Sequence, residues 1–182
     1  DEEKKTIKSI DNAFIQLLKK KSFDKITINE VSKTADINRV TFYNYFIDKY
    51  DWFQKYLYKQ LEAFILLEKK LDFNSSDEEI YRLFYNAYAQ LDEHFDNIYL
   101  LLIDRTTPFH QDLETISKQS FQEKLKSINN FSNIELSLKH IIMFQFSIGL
   151  LEWWIKENRP WSVEQIAKKI NRLFKKLDNL NL

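Results

Sequence analysis

Between Asn38 and Lys49 the chain carries Asn38, Arg39, Thr41, Tyr43, Asn44 and Lys49, with Thr27 a short way before them. These side chains are of the kinds that read nucleic acid. An Arg guanidinium can give a bidentate pair to a guanine edge, and an Asn amide can do the same for adenine. Thr meets a thymine methyl or a phosphate, while Tyr and Lys grip phosphates and so fix register without reading sequence. Arg39 with Asn38 or Asn44 is therefore the candidate for base edges. Thr41 is the candidate for a methyl or phosphate, and Thr27, Tyr43 and Lys49 for the backbone of double-stranded DNA.

Presenting such groups to a groove requires a short helix held on a small core. Thr27-Ile-Asn-Glu30 has the spacing of a capping box, in which the hydroxyl and the carboxylate satisfy orphan backbone donors reciprocally. It opens a helix to Thr34, followed by a turn at Ala35-Asp36-Ile37 and a second helix from Asn38 to about Tyr45. Ile7, Ile10, Phe14, Leu17 and Leu18 form the stripe of a preceding helix. Two short helices across a tight turn, packed on a third, make a helix-turn-helix. The spacing predicts that Ile28, Val31, Ala35, Ile37, Val40 and Phe46 share a core with Phe14, Leu18 and Phe23, and that Phe42 also packs. Asn38, Arg39, Thr41, Tyr43 and Asn44 then point outward. Lys19 to Lys21 read as a solvated helix end whose charge complements the helix dipole.

The rest of the chain is expected to be helical too. One Gly and two Pro in 182 residues are too few for a turn-rich sheet protein. Ser76, Ser132 and Ser162 each precede Glu or Gln at capping-box spacing, Thr107-Pro108 offers an N-cap followed by proline, and Asn38 and Asp48 are further N-cap candidates. Apolar spacing gives one long helix from about Asp48 to Leu71, then one around Leu83 to Leu91 and a short Phe95–Ile103 segment. Helices from Pro108 to about Ile128, Ser132 to Glu157 and Ser162 to about Leu177 complete the reading. The expected fold is all-α with about nine helices: a three-helix DNA-binding domain over residues 1–48 and a helical body over 49–182.

Several classes of chemistry lack their residues. A single glycine cannot build a Walker loop or a dinucleotide fingerprint. With no Cys there are no disulfides, thiolate zinc sites or cysteine nucleophiles. His94, His110 and His140 are scattered, so no metal site is expected; no cofactor is implied, and no nucleophile, base and oxyanion site are arranged as an enzyme needs. The apolar stretch Ile141 to Ile155 is interrupted by Gln145, Ser147 and Glu152, too short for a membrane span. The acidic start, Asp1 to Glu3, lacks a signal core, and a cytoplasmic location is expected. Net charge is zero, with 10 Lys and Arg against 8 Asp and Glu in residues 1–50, so the reading rests on motif and not on charge.

The body is rich in aromatics. Phe84, Tyr88, Phe95, Tyr99, Phe109, Phe121, Phe144 and Trp153 are candidates to line an effector pocket, although ordinary core packing would use the same residues. Gly149, inside a helix, costs about 1 kcal/mol relative to Ala, and close approach of a second helix would offset that. With Met143, Phe146, Leu150 and Trp153 it marks a candidate homodimer interface. Exposed indoles among Trp153, Trp154 and Trp161 would instead suit a body that docks another protein.

The run ITINEVSKTADINRVTFYNYFIDKYDWF, with AFIQLLKKKSF before it, resembles the signature of TetR-family regulators over about residues 5–53. The resemblance implies a homodimer that binds a palindromic operator, with an effector-responsive C-terminal domain. Repression relieved by an effector is the expectation, and a DNA-bound adaptor or coactivator with a protein effector the alternative. Asp36 stands where glycine is usual, Val40 replaces a small residue, and Tyr45 stands where histidine is common. Downstream, GLLEWWIKENRPWS resembles a subgroup that includes a dihydroxyacetone-kinase operon regulator.

Overall fold

The computed structural model describes residues 2–72, 75–127 and 134–178, and these are all-α, with no strand among them. The helices are α1 (Glu2–Leu18), α2 (Ile28–Thr34), α3 (Arg39–Tyr43), α4 (Lys49–Gln60), α5 (Glu62–Lys70), α6 (Asp77–Glu93), α7 (Phe95–Ile103), α8 (Phe109–Ser127), α9 (Ile134–Lys156) and α10 (Val163–Asp178), with a 3₁₀ turn at Phe23–Lys25. The chain divides into two compact units, residues 1–59 with 96–112 and residues 60–95 with 113–182.

The first unit is organised by aromatics. Phe14 of α1 stacks on Trp52 of α4, ring centroids 3.7 Å apart, and Trp52 stacks in turn on Tyr56 at 5.1 Å. Phe42 of α3 and Phe23 of the turn are fully buried with them. The Trp52 indole donates to Asp11 at 2.9 Å, which gives a buried carboxylate a partner. Burial still pushes the Asp11 carboxyl up, against the pull of Trp52 and Lys59. Residues 96–112 are fastened to this unit by hydrogen bonds. The Phe23 N–H donates to Asp104 Oδ2 at 2.7 Å, and the Asp24 N–H to Thr106 Oγ1 at 3.1 Å.

In the second unit α6 lies between α5 and α10. Trp154 is fully buried between Tyr88 and Phe95, at 5.2 and 6.0 Å, and its indole donates to the Trp161 carbonyl at 3.0 Å. Phe84 meets Phe174 edge-on at 6.5 Å. The bend after α9 puts Asn158 and Arg159 at φ 54° and 58°. Arg159 is held there by a 3.0 Å ion pair with Asp92 and by stacking 3.9 Å over the Phe95 ring.

Three local expectations need correction. The single helix over 48–71 is two, because Leu61 leaves helical geometry (φ −106°, ψ 13°) and the Ala63 N–H donates to Gln90 Oε1 at 2.6 Å in place of a backbone carbonyl. No proline or glycine marks the break, so nothing local announces it. Val40 is exposed, not buried: Phe42 takes the core, and two residues earlier on a helix is about 200° around the axis. Thr107 does not cap α8; its hydroxyl donates to the Leu101 and Asp104 carbonyls at the end of α7, and Pro108 supplies the first carbonyl of α8. The Ser132–Glu135 box lies outside the described residues.

Candidate nucleic-acid interface

The turn between α2 and α3 fixes how α3 is presented. Asp36 sits in the left-handed region at φ 54°. The Ile37 N–H reaches back to the Ser32 carbonyl at 3.0 Å, closing the end of α2 as a Schellman motif. The capping box opens α2 as its spacing predicts. The Glu30 N–H donates to Thr27 Oγ1 at 3.3 Å, the Thr27 N–H donates to Glu30 Oε2 at 3.1 Å, and Lys21 pairs with Glu30. These partners hold the Glu30 carboxyl down at about 2, the Lys21 hydrogen bond being the largest influence.

From that base α3 projects a short polar face. Asn38 caps it, Oδ1 accepting from the Val40 N–H at 2.9 Å, so this amide oxygen is committed to the helix start. Arg39, Val40, Tyr43 and Asn44 are exposed and Thr41 is half-buried. The Arg39 guanidinium lies 5.5 Å over the Tyr43 ring and donates to its hydroxyl at 3.2 Å. Val40, 67% exposed beside Arg39, is a further outward side chain, which the apolar spacing had placed in the core. Counting around the helix from Phe42 would have found it, and an apolar side chain there suits a thymine methyl.

Thr27 and Lys49 are placed differently from these. The Thr27 hydroxyl closes the capping box. The Lys49 ammonium donates to three carbonyls, those of Phe23 and Asp24 at 2.8 Å and of Ile26 at 3.1 Å, and lies 4.9 Å over the Phe23 ring. Burial lowers its affinity for the proton, with Asp24 acting the other way. Its position ties α4 to the 3₁₀ turn. Asp48 caps α4 by accepting from the Tyr50 and Asp51 N–H groups, both at 2.8 Å.

Of the candidate pocket residues, Tyr88 and Phe95 are buried against Trp154 and Phe84 against Phe174 in the second unit, and Tyr99 and Phe109 belong to the first unit. Trp153 is 37% exposed and meets Trp161 at 5.1 Å, and the side chains of Phe121 and Phe144 lie outside the described residues. Of the candidate interface residues, Met143 is buried and Phe146 and Leu150 are half-buried. Gly149 is exposed, and a Cβ there would meet nothing within 4 Å. Phe146, Leu150, Trp153, Trp161, Ile170 and Leu173 line an apolar groove of about 520 Å³, rimmed by Lys169, Arg172 and Lys176. No three His, Asp or Glu side chains come together among the described residues, and no helix among them is long and apolar enough to cross a membrane.

An exposed short helix on a helix-turn-helix, followed by a helical body, is the fold of TetR-like helical transcription regulators. Solved structures with this fold include the fatty acid degradation regulator FadR from Bacillus halodurans, 15% identical, covering 97% of this chain and 96% of that one, TM-score 0.62. A TetR-family transcriptional regulator from Streptomyces coelicolor is 16% identical over 94% of this chain and 81% of its own, TM-score 0.63. The dihydroxyacetone kinase operon activator DhaS is 21% identical over 93% of both chains, TM-score 0.54. No family model matches the chain, and no curated protein does.

Proposed function

We propose that this chain is a sequence-specific regulator of transcription that binds a palindromic operator as a homodimer and loses affinity when an effector enters its C-terminal unit. The observation that carries the reading is the outward face of α3. Arg39 and Val40 stand at the end of that helix that enters a major groove, on a turn fixed by Asp36 and a core fixed by Phe42. Such a role places the protein in the cytoplasm, with double-stranded DNA as its partner and no cofactor or catalysis required.

Dimerisation is supported by α9. α9 carries apolar side chains that its own chain leaves uncovered: Leu138, Ile141, Ile142 and Trp153 are 36–47% exposed, and Gly149 among them leaves room for another backbone. A second copy meeting this face through its own α9 and α10 would cover it and set the spacing of two α3 helices. The same exposed Trp153 favours a second reading, in which the body docks another protein, as a DNA-bound activator would require.

The test is a mobility shift with a fragment spanning the gene's own upstream region at fixed salt, alongside Arg39→Ala. Specific binding by the wild type that falls about 5- to 150-fold in the variant supports the reading. Binding without preference over competitor DNA sinks it.

A further inference from the structure

Three parts of the first unit line a cavity of about 400 Å³: α1, the residues just after α3, and α4. Ile7 and Asp11, four residues apart on α1, face it together. Tyr45 and Phe46 line it after the end of α3, and Tyr56 lines it from α4. Asp11, Phe46 and Tyr56 are buried, so the deep part of the cavity is aromatic and its buried charge is a carboxylate. The volume suits a small-molecule site.

The two oxygens of that carboxylate are served unequally. Oδ1 accepts from the Trp52 indole at 2.9 Å. Oδ2 has the Lys59 ammonium at 3.7 Å, beyond hydrogen-bond range, on a side chain that is 65% exposed. Burial is the largest influence on Asp11 and pushes its carboxyl up; Trp52 and Lys59 pull it down without reversing the shift. The charged form is under-served, and a closer cation would stabilise it. Lys55, the other ammonium of the lining, is engaged elsewhere. It pairs with Asp51 at 2.9 Å, donates to the Tyr45 carbonyl at 3.2 Å and lies 5.4 Å over the Phe46 ring. Glu3 sets a second carboxylate at the exposed end. Charges on exposed side chains are screened far more than a buried one, so the deep end of the cavity favours positive charge. The aromatic lining favours it too, through the ring faces.

We infer that this cavity is a binding site for a small organic cation: a primary ammonium that reaches Asp11 Oδ2, on an aromatic or short aliphatic body that lies against Ile7, Tyr45 and Phe46. The ligand turns Lys59 out to solvent and takes its place, with no bond or proton exchanged. A neutral alcohol of the same shape brings no charge to Asp11, and a carboxylate sets a second anion beside it. The site lies wholly in the first unit and stands whether or not an effector enters the C-terminal unit.

The test is a titration of the ¹⁵N-labelled full chain at pH 7 with phenethylamine, phenethyl alcohol and phenylacetate. It is read at the Trp52 indole N–H, whose acceptor is the same carboxyl group. Trp153, Trp154 and Trp161 lie in the second unit and serve as internal references. Phenethylamine should shift the Trp52 resonance saturably, with half-saturation at about 1 mM or below, and leave the references in place. Asp11→Asn keeps an acceptor for the indole and should weaken binding about 10- to 100-fold, with thermal unfolding to confirm that it folds. Lys59→Met removes the competing ammonium from an exposed position and should tighten binding about 2- to 5-fold, which decides the matter if Asp11→Asn does not fold. The inference is overturned if no saturable shift appears, or if the alcohol or phenylacetate shifts Trp52 as effectively. It is overturned equally if folded Asp11→Asn binds unchanged or Lys59→Met binds more weakly.

Discussion

Lys49 separates two accounts of the head. If its ammonium grips a phosphate, Lys49→Met weakens DNA binding and makes the salt dependence shallower by about one unit of log–log slope per protomer. If it holds three carbonyls, as the geometry has it, the loss is one of stability. The Asp24 carbonyl is exposed and water can replace its bond. The Phe23 and Ile26 carbonyls are part-buried, and losing a partner costs about 1 kcal/mol each. A total of about 2 kcal/mol lowers the melting temperature by about 4–8 °C in a chain of this size. The assay is thermal unfolding paired with operator titrations at several salt concentrations, well below the variant's transition. An unchanged melting temperature with a shallower slope would refute the structural account and return Lys49 to the phosphates.

Other outcomes follow from single features. Asp36→Gly should raise stability by about 1 kcal/mol, because glycine adopts the left-handed conformation at φ 54° without the cost a side chain carries there; a lower melting temperature would contradict this. The folded chain keeps on Glu68 a proton that the unfolded chain gives up, between the ordinary value of 4.5 and about 8. Stability should therefore fall as pH rises through that window, by at most about 1.4 kcal/mol per pH unit, and Glu68→Gln should flatten the slope; parallel pH profiles would count against it. Gly149→Ala meets no neighbour within one chain and improves helix propensity by about 1 kcal/mol, yet it should weaken self-association in sedimentation equilibrium if α9 is the dimer face. Tighter association would move the interface elsewhere.

What could be read from the residues alone was local. The boxes at Thr27 and Ser162 close reciprocally as spaced, Asn38 and Asp48 cap their helices, and Phe95–Ile103 is helical over that stretch. Asp36 takes the left-handed turn despite its side chain. What escaped depended on partners far along the chain. The break at Leu61 is completed by Gln90, Lys49 is claimed by carbonyls more than twenty residues away, and Trp154 rather than Trp153 goes inward because Tyr88 and Phe95 receive it. Neighbouring tryptophans on one helix look alike to periodicity, and only the packing of α6 and α7 distinguishes them.

The bonds from Phe23 and Asp24 to Asp104 and Thr106 span 81 and 82 residues. A ribosome therefore delivers the first 59 residues long before the strip that completes their unit. Until residue 112 has emerged, the nascent head lacks those contacts, and closing so long a loop carries an entropic cost that a short hairpin escapes. A chimaera that exchanges only the first 48 residues would inherit the face of α3 while separating the 3₁₀ turn from the side chains that evolved to hold it. Grafting this head onto another body calls for two transplanted segments, not one.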